Sequence, residues 1–222
     1  MLGSAVYKLY ILILIMIGRS DRVIMLQIQN CIIITGSPGT GKTLISRILS
    51  KQLQVPLIKA TEIVIRYKLG DYDSESDTYD VDVEDLRRTL LKVVNAPAII
   101  DSVIPDILPR EFVELVIVLR LDPMILAGRL IARNWKVKKI LENVEAELLG
   151  IVTYEAVEYY GLEKVVEIDT TGNPPEYLVE EIKRIIRTKD LSKYRPFTVD
   201  WLAKYEDPMK FRKQVLAMIN NY

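Results

Sequence analysis

Between a strand-like segment and a helix-like segment the chain reads Gly36-Ser37-Pro38-Gly39-Thr40-Gly41-Lys42-Thr43, the spacing of a phosphate-gripping P-loop. Its flanks are those the motif requires. Cys31-Ile32-Ile33-Ile34-Thr35 is a β-branched run with the profile of a buried parallel strand. Beyond the loop, Leu44, Ile45, Ile48, Leu49 and Leu53 recur at helical spacing. Glycines let backbone N–H groups converge on phosphate oxygens, and the helix N-terminus adds partial positive charge. Lys42 is then placed to reach β- and γ-phosphates, and the Thr43 hydroxyl to ligand Mg2+. The motif predicts a nucleoside triphosphate site.

Composition narrows the class. With 222 residues and 50% hydrophobic content the chain can bury a real core, most simply in one domain. Lys+Arg and Asp+Glu both number 30, so no global field drives it onto nucleic acid or anionic lipid, and no direct nucleic-acid binding is expected. Cys31 is the only cysteine, so no disulfide within the chain can form, which suits a reducing cytoplasm. Histidine is absent, which excludes imidazole catalysis and His-ligated metal.

The first residues stand apart. Leu9 to Ile17 is an unbroken apolar run between Lys8 and Gly18-Arg19-Ser20-Asp21-Arg22. It falls short of the about 20 residues that span a bilayer, and no small-residue cleavage site follows it. The expected functional start is Met25. Residues 1–24 are then an upstream extension, either a start-site artefact or a weak membrane-surface anchor, and no firm membrane association is predicted.

Strands alternate with helices along the remainder. Val55 to Lys59 reads as a second strand with Pro56 at its start, Ala98 to Asp101 as a third, Val113 to Leu119 as a fourth and Lys164 to Asp169 as a fifth. Asp122-Pro123 supplies an N-cap and an N1 proline. One long helix is expected from about Lys136 to Tyr160, stopped by Gly161. Pro174-Pro175 opens another helix, and Asp207-Pro208 caps a final amphipathic one. This order implies an α/β fold of the P-loop NTPase kind, a five-stranded parallel sheet with helices on both faces, and ligands outside the carboxyl ends of the strands.

Two interruptions are expected to be mobile arms. Residues from about 59 to 81 include Gly70-Asp71-Tyr72-Asp73-Ser74-Glu75-Ser76-Asp77-Thr78-Tyr79-Asp80-Val81, acidic and without a basic residue. Most of these acids read as a solvated loop, yet long loops in compact domains tend to be functional. In the second, Arg129 and Arg133 stand four apart on one helical face, followed by Trp135, Lys136, Lys138 and Lys139. Two arginines leading into a short connector are best explained as a lid over phosphates.

GSPGTGKT, the acidic LGDYDSESDTYDVD arm, the IID strand end, the VIVLRLDP segment and the RLIARNW lid together resemble the archaeal adenylate kinase family, relatives of the eukaryotic nuclear adenylate kinase. The resemblance runs from about Met25 to Thr188. It implies broad-specificity nucleoside monophosphate kinase chemistry on ATP, a side ATPase activity, and assistance to small-subunit (30S) ribosome and rRNA maturation. Carried over, the ATP-binding positions are Gly39, Gly41, Lys42, Thr43 and Leu44, with Thr40 in the same loop and Arg133 from the lid. The monophosphate-binding arm is then about 59–81, the lid about 132–142, and 189–222 a C-terminal extension outside the resemblance, expected to pack on the core of the same chain.

One departure matters. The family has an acidic residue followed two positions later by histidine at the end of the third strand; here the segment is Asp101-Ser102-Val103. Asp101 can still orient Mg2+ or its water shell, but Val103 cannot transfer a proton. The catalytic set expected is Lys42, Asp101, Arg129 and Arg133, which place positive charge and metal where negative charge spreads in the transition state. Three other residues admit two readings each. Arg120 grips a phosphate or pairs with Asp122; Arg66 holds the monophosphate or is a surface helix residue; Asn173 bonds an adenine edge or belongs to a helix-entry turn. Three functions stay open: a monophosphate kinase, a ribosome-assembly ATPase whose acidic arm grips a basic small-subunit ribosomal protein, and a P-loop kinase of another small molecule.

Overall fold

The apolar run before the P-loop becomes a strand because both its faces find cover. The computed structural model describes residues 30–73 and 78–221, so the expected extension at 1–24, the start at Met25 and the middle of the acidic arm lie outside the described residues. In chain order the elements are β1 (Cys31–Thr35), α1 (Lys42–Leu53), β2 (Leu57–Lys59), α2 (Ala60–Tyr67), β3 (Asp71–Asp73), β4 (Thr78–Asp80), α3 (Val83–Val93), β5 (Ile99–Asp101), β6 (Val113–Arg120), α4 (Pro123–Ile131), α5 (Val137–Leu149), α6 (Ile151–Tyr160), β7 (Val165–Asp169), α7 (Pro175–Thr188), α8 (Trp201–Tyr205) and α9 (Pro208–Asn220).

Five strands form one parallel sheet in the order β2-β5-β1-β6-β7, and β3 and β4 form a separate antiparallel pair. Ile33 sits opposite Ile100 on one side and Val116 on the other. The P-loop therefore emerges at the carboxyl ends of β5 and β6. On one face Ile32 and Ile34 pack with Ile45, Leu49 and Leu53 of α1 and Leu178, Ile182 and Ile185 of α7. On the other, Cys31 and Ile33 meet Ile63 and Val64 of α2, Leu86 and Leu90 of α3, and Tyr160 of α6. Burial pushes the Cys31 thiol up to about 11, so it is an inert core group. A third apolar cluster joins α4 and α5 to Trp201, Phe211 and Val215 of the C-terminal segment.

The caps fall where the sequence puts them. The Asp122 side chain accepts from the backbone N–H groups of Met124 and Ile125, with Pro123 at the first helical position. Three expectations need correction. The single helix over 136–160 is two helices, because Gly150 at φ 66 ends α5 and starts α6. A β-carbon there would come 3.3 Å from the Arg120 guanidinium. Leu44 is 48% exposed rather than part of the core stripe of α1. The segment expected as a mobile arm is not one loop: α2 buries Ala60, Ile63 and Val64 against the sheet, and only then does the hairpin follow.

Candidate active site

Two glycines shape the loop. Gly36, at φ 138, leaves β1 so close to β6 that a β-carbon would meet the Leu119 carbonyl oxygen at 2.3 Å. Gly39, at φ 99, lies against α4, 2.8 Å from Leu126 Cδ1 by the same measure. Thr40 Oγ1 donates to the Ser37 carbonyl at 2.9 Å, tightening the turn. Gly41 is the N-cap of α1, whose first N–H groups open toward the loop.

The chemistry-bearing side chains converge on this loop. Lys42 Nζ donates to the carbonyls of Gly36 at 2.8 Å and Ser37 at 3.0 Å. Burial pulls its ammonium down to about 8; the Asp101 and Glu147 carboxylates oppose that fall, and Arg133 adds to it. Thr43 Oγ1 donates to Asp101 Oδ2 at 2.7 Å, which unites the two expected metal oxygens. Arg129, exposed on α4, donates through a terminal guanidinium nitrogen to the Gly39 carbonyl at 2.8 Å. Arg133 is exposed in the connector between α4 and α5, near enough for its charge to act on Lys42. In that connector region Lys139 Nζ lies 4.3 Å from the centre of the Trp135 ring.

Three residues take no part in these bonds to the loop. Arg120 neither faces the loop nor pairs with Asp122. It is 3% exposed and ion-paired with Glu147 at 2.8 Å and with Glu167. Burial disfavours its charge, and the two carboxylates more than offset this, holding the guanidinium charged. Asp122 instead takes Lys204 and Tyr205 as partners. Arg66 sits on the exposed side of α2, beside Glu62, whose carboxyl pKa is lowered chiefly by its hydrogen bond and ion pair with Lys59 and less by the Arg66 charge. Asn173 is exposed, and its Nδ2 donates to the Asp169 and Thr171 carbonyls at 3.1 and 3.3 Å, the bonding of a helix-entry turn. Val103 is 46% exposed just past Asp101.

Sequence reasoning missed the support beneath the loop. Ser37 Oγ donates to Glu147 Oε2 at 2.6 Å, and Arg120 Nε and the Leu121 N–H hold Glu147 Oε1 at 2.8 and 3.0 Å. The signal was present. Glu147 interrupts the apolar stripe Ile140, Val144, Leu148, and Glu167 stands inside a buried strand; each is at most 2% exposed. A carboxylate on a core face needs a buried cation.

Among the described residues no cluster of three or more His, Cys, Asp or Glu could hold a metal by itself. Mg2+ commonly takes one or two protein oxygens and completes its shell with phosphates and water. The hydroxyl–carboxylate pair of Thr43 and Asp101 fits that role.

Sheet order, loop and converging cations define a P-loop kinase fold. A family model described as an AAA domain matches residues 32–150. Among solved structures, shikimate kinase from Acinetobacter baumannii in complex with shikimate superposes with a TM-score of 0.53 at 18% identity, covering 74% of this chain and 96% of that one. Shikimate kinase from Bacteroides thetaiotaomicron gives 0.50 at 18% identity, over 71% and 98%. At these identities the likeness is one of fold. Sequence relatives are nearer. A protein of Methanocaldococcus jannaschii named "Putative adenylate kinase" is 38% identical over 179 residues, 79% of this chain and 95% of that protein. One of the same name from Thermococcus onnurineus is 34% identical over 179 residues, 80% and 94%. The chain belongs to this archaeal adenylate kinase family.

Proposed function

We propose that the chain is a nucleoside monophosphate kinase that moves the terminal phosphoryl group of ATP to AMP or a related monophosphate in the cytoplasm. The observation that carries this reading is the meeting of Lys42, Arg129 and the Thr43–Asp101 pair on one glycine loop. Such transfer needs in-line positioning and positive charge where negative charge spreads in the transition state. Lys42, held inside the loop, supplies fixed charge; Arg129 and Arg133 supply more from the side of the lid, about 132–142. Mg2+, when bound, neutralises phosphate charge, and Thr43 and Asp101 are the oxygens that would hold it. The backbone of Gly39 to Leu44 binds the phosphates of ATP, and Asn173 of the 171–174 loop bonds the adenine edge. The arm at about 59–81, with Arg66, receives the monophosphate. Residues 25–188 form the kinase core and 189–222 the extension.

The test is ADP formation by protein from Met25, with ATP and each monophosphate compared against ATP alone. Transfer should exceed hydrolysis many-fold, because Val103 offers water no proton acceptor. Lys42→Ala should abolish transfer while the far-ultraviolet circular dichroism stays native. Near-normal turnover in that variant would sink the kinase reading.

A second reading is favoured by the hairpin, where Asp71 and Asp80 are exposed on paired strands. An ATP-hydrolysing factor could grip a basic segment of a small-subunit ribosomal protein there during 30S maturation. An acceptor-dependent to acceptor-free ratio near one would move this reading to first place.

A further inference from the structure

The P-loop is braced from outside the kinase core, and two separate hydrogen-bonded routes lead to it from residues 198–205. In the first, Trp201 Nε1 donates to Glu147 Oε1 at 3.3 Å, while Ser37 of the P-loop donates to Oε2 of the same carboxylate at 2.6 Å. Arg120 clamps that carboxylate and also pairs with Glu167, whose Oε2 accepts the backbone N–H groups of Thr198 and Val199 at 3.0 and 3.3 Å. In the second, Lys204 Nζ and Tyr205 Oη donate to Asp122. Asp122 caps α4 through the Met124 N–H at 2.8 Å, and further along α4 Arg129 reaches the Gly39 carbonyl at 2.8 Å.

The two routes share no residue, yet both start within residues 198–205 and end on the same loop. Each runs through a buried carboxylate, Glu147 at 2% and Asp122 at 4% exposure, whose several donors share in fixing its orientation. We propose that Trp201, Lys204 and Tyr205 are positioning residues, which hold Glu147 and α4 and through them fix the P-loop and Arg129 for phosphoryl transfer. Each of the three acts through a carboxylate, Glu147 or Asp122, and not through a bond of its own to the loop. The inference rests on the kinase reading above. Its physical basis is the tolerance of such sites: groups must sit within about 0.5 Å of productive geometry, and a misplacement of about 1 Å can cost about 100-fold in rate.

The experiment uses the full chain. Lys204→Met with Tyr205→Phe removes both side-chain donors to Asp122 while keeping the aliphatic stem and the ring that meets Phe211 at a tilt, 4.8 Å between centres. Trp201→Phe removes the donor to Glu147 while keeping most of its packing. At a temperature where each protein is fully folded by circular dichroism, kcat should fall about fivefold or more in both. Lys204→Arg, which keeps a cation facing Asp122, should stay within about twofold of wild type. Should Trp201→Phe fail to fold, the Lys204/Tyr205 pair decides alone. A kcat within about twofold of wild type in every folded donor-loss variant, or a Lys204→Arg loss equal to that of the double variant, overturns the proposal. Wild type without acceptor-dependent activity is instead a failure of the kinase reading. The brace is then judged by MgATP binding, where a Kd raised about fivefold by the double variant supports it and an unchanged Kd overturns it.

Discussion

A guanidinium that is 3% exposed between two carboxylates, each of them at most 2% exposed, is a fixed charge with nowhere to go. Arg120 also donates to the Glu147 backbone carbonyl at 2.7 Å, so its fork is spent on structure. Removing one member of such a group leaves the others buried and uncompensated, which costs about 3–5 kcal/mol. Arg120→Met, similar in length and without charge, should therefore lower the unfolding free energy by about that amount in urea titration. A loss under about 1 kcal/mol would mean water reaches the two carboxylates. Lys42 is the contrasting case. Its partners in this structure are two carbonyls of its own loop, which leave the ammonium close to where phosphate oxygens would lie.

Among the elements, α4 and its connector carry the clearest expectation. Arg129→Ala and Arg133→Ala should each lower kcat more than they weaken ATP binding, since charge delivered to the transition state appears in kcat. Arginine stabilisation of this kind can reach about 1000-fold, and steady-state kinetics showing losses below about threefold in both variants would overturn the lid. What made α4 readable was local: Asp122-Pro123 at its start and Arg129 and Arg133 four apart. Strand β1, the loop and α1 were readable for the same reason, because periodicity and caps act over a few residues. The break at Gly150 was not. A lone glycine inside a helical pattern is usually tolerated, and the left-handed φ of 66 that ends α5 shows only in the structure. The roles of Arg120 and Glu147 escaped likewise, since the two ion pairs span 27 and 47 positions. No window of local sequence contains both ends of either pair. Arg66 and Asn173 were readable as elements, one on a helix and one in a turn; their contacts with substrate rest on the proposal alone.

At the scale of the whole molecule, β1 has no neighbour from its own part of the chain. Its partners are β5 and β6, with α2, the hairpin and α3 threaded through before either arrives. Closing those long connections precedes any reward from pairing, which makes such a sheet slow to nucleate. The loop after β1 acquires its shape only once both flanking strands are seated, since Gly36 is pinned by the end of β6. A partly folded chain thus offers nucleotide nothing to hold, and the ligand acts on one side of the folding barrier. Stopped-flow refolding should run at the same rate with and without MgATP, while unfolding slows about 100-fold at a ligand concentration about 100 times Kd. Refolding that accelerates with nucleotide would show the loop already formed at the barrier. A chain built this way would be protected by bound nucleotide as a matter of lifetime: a molecule holding MgATP would unfold rarely, and one without it would be exposed to proteolysis sooner.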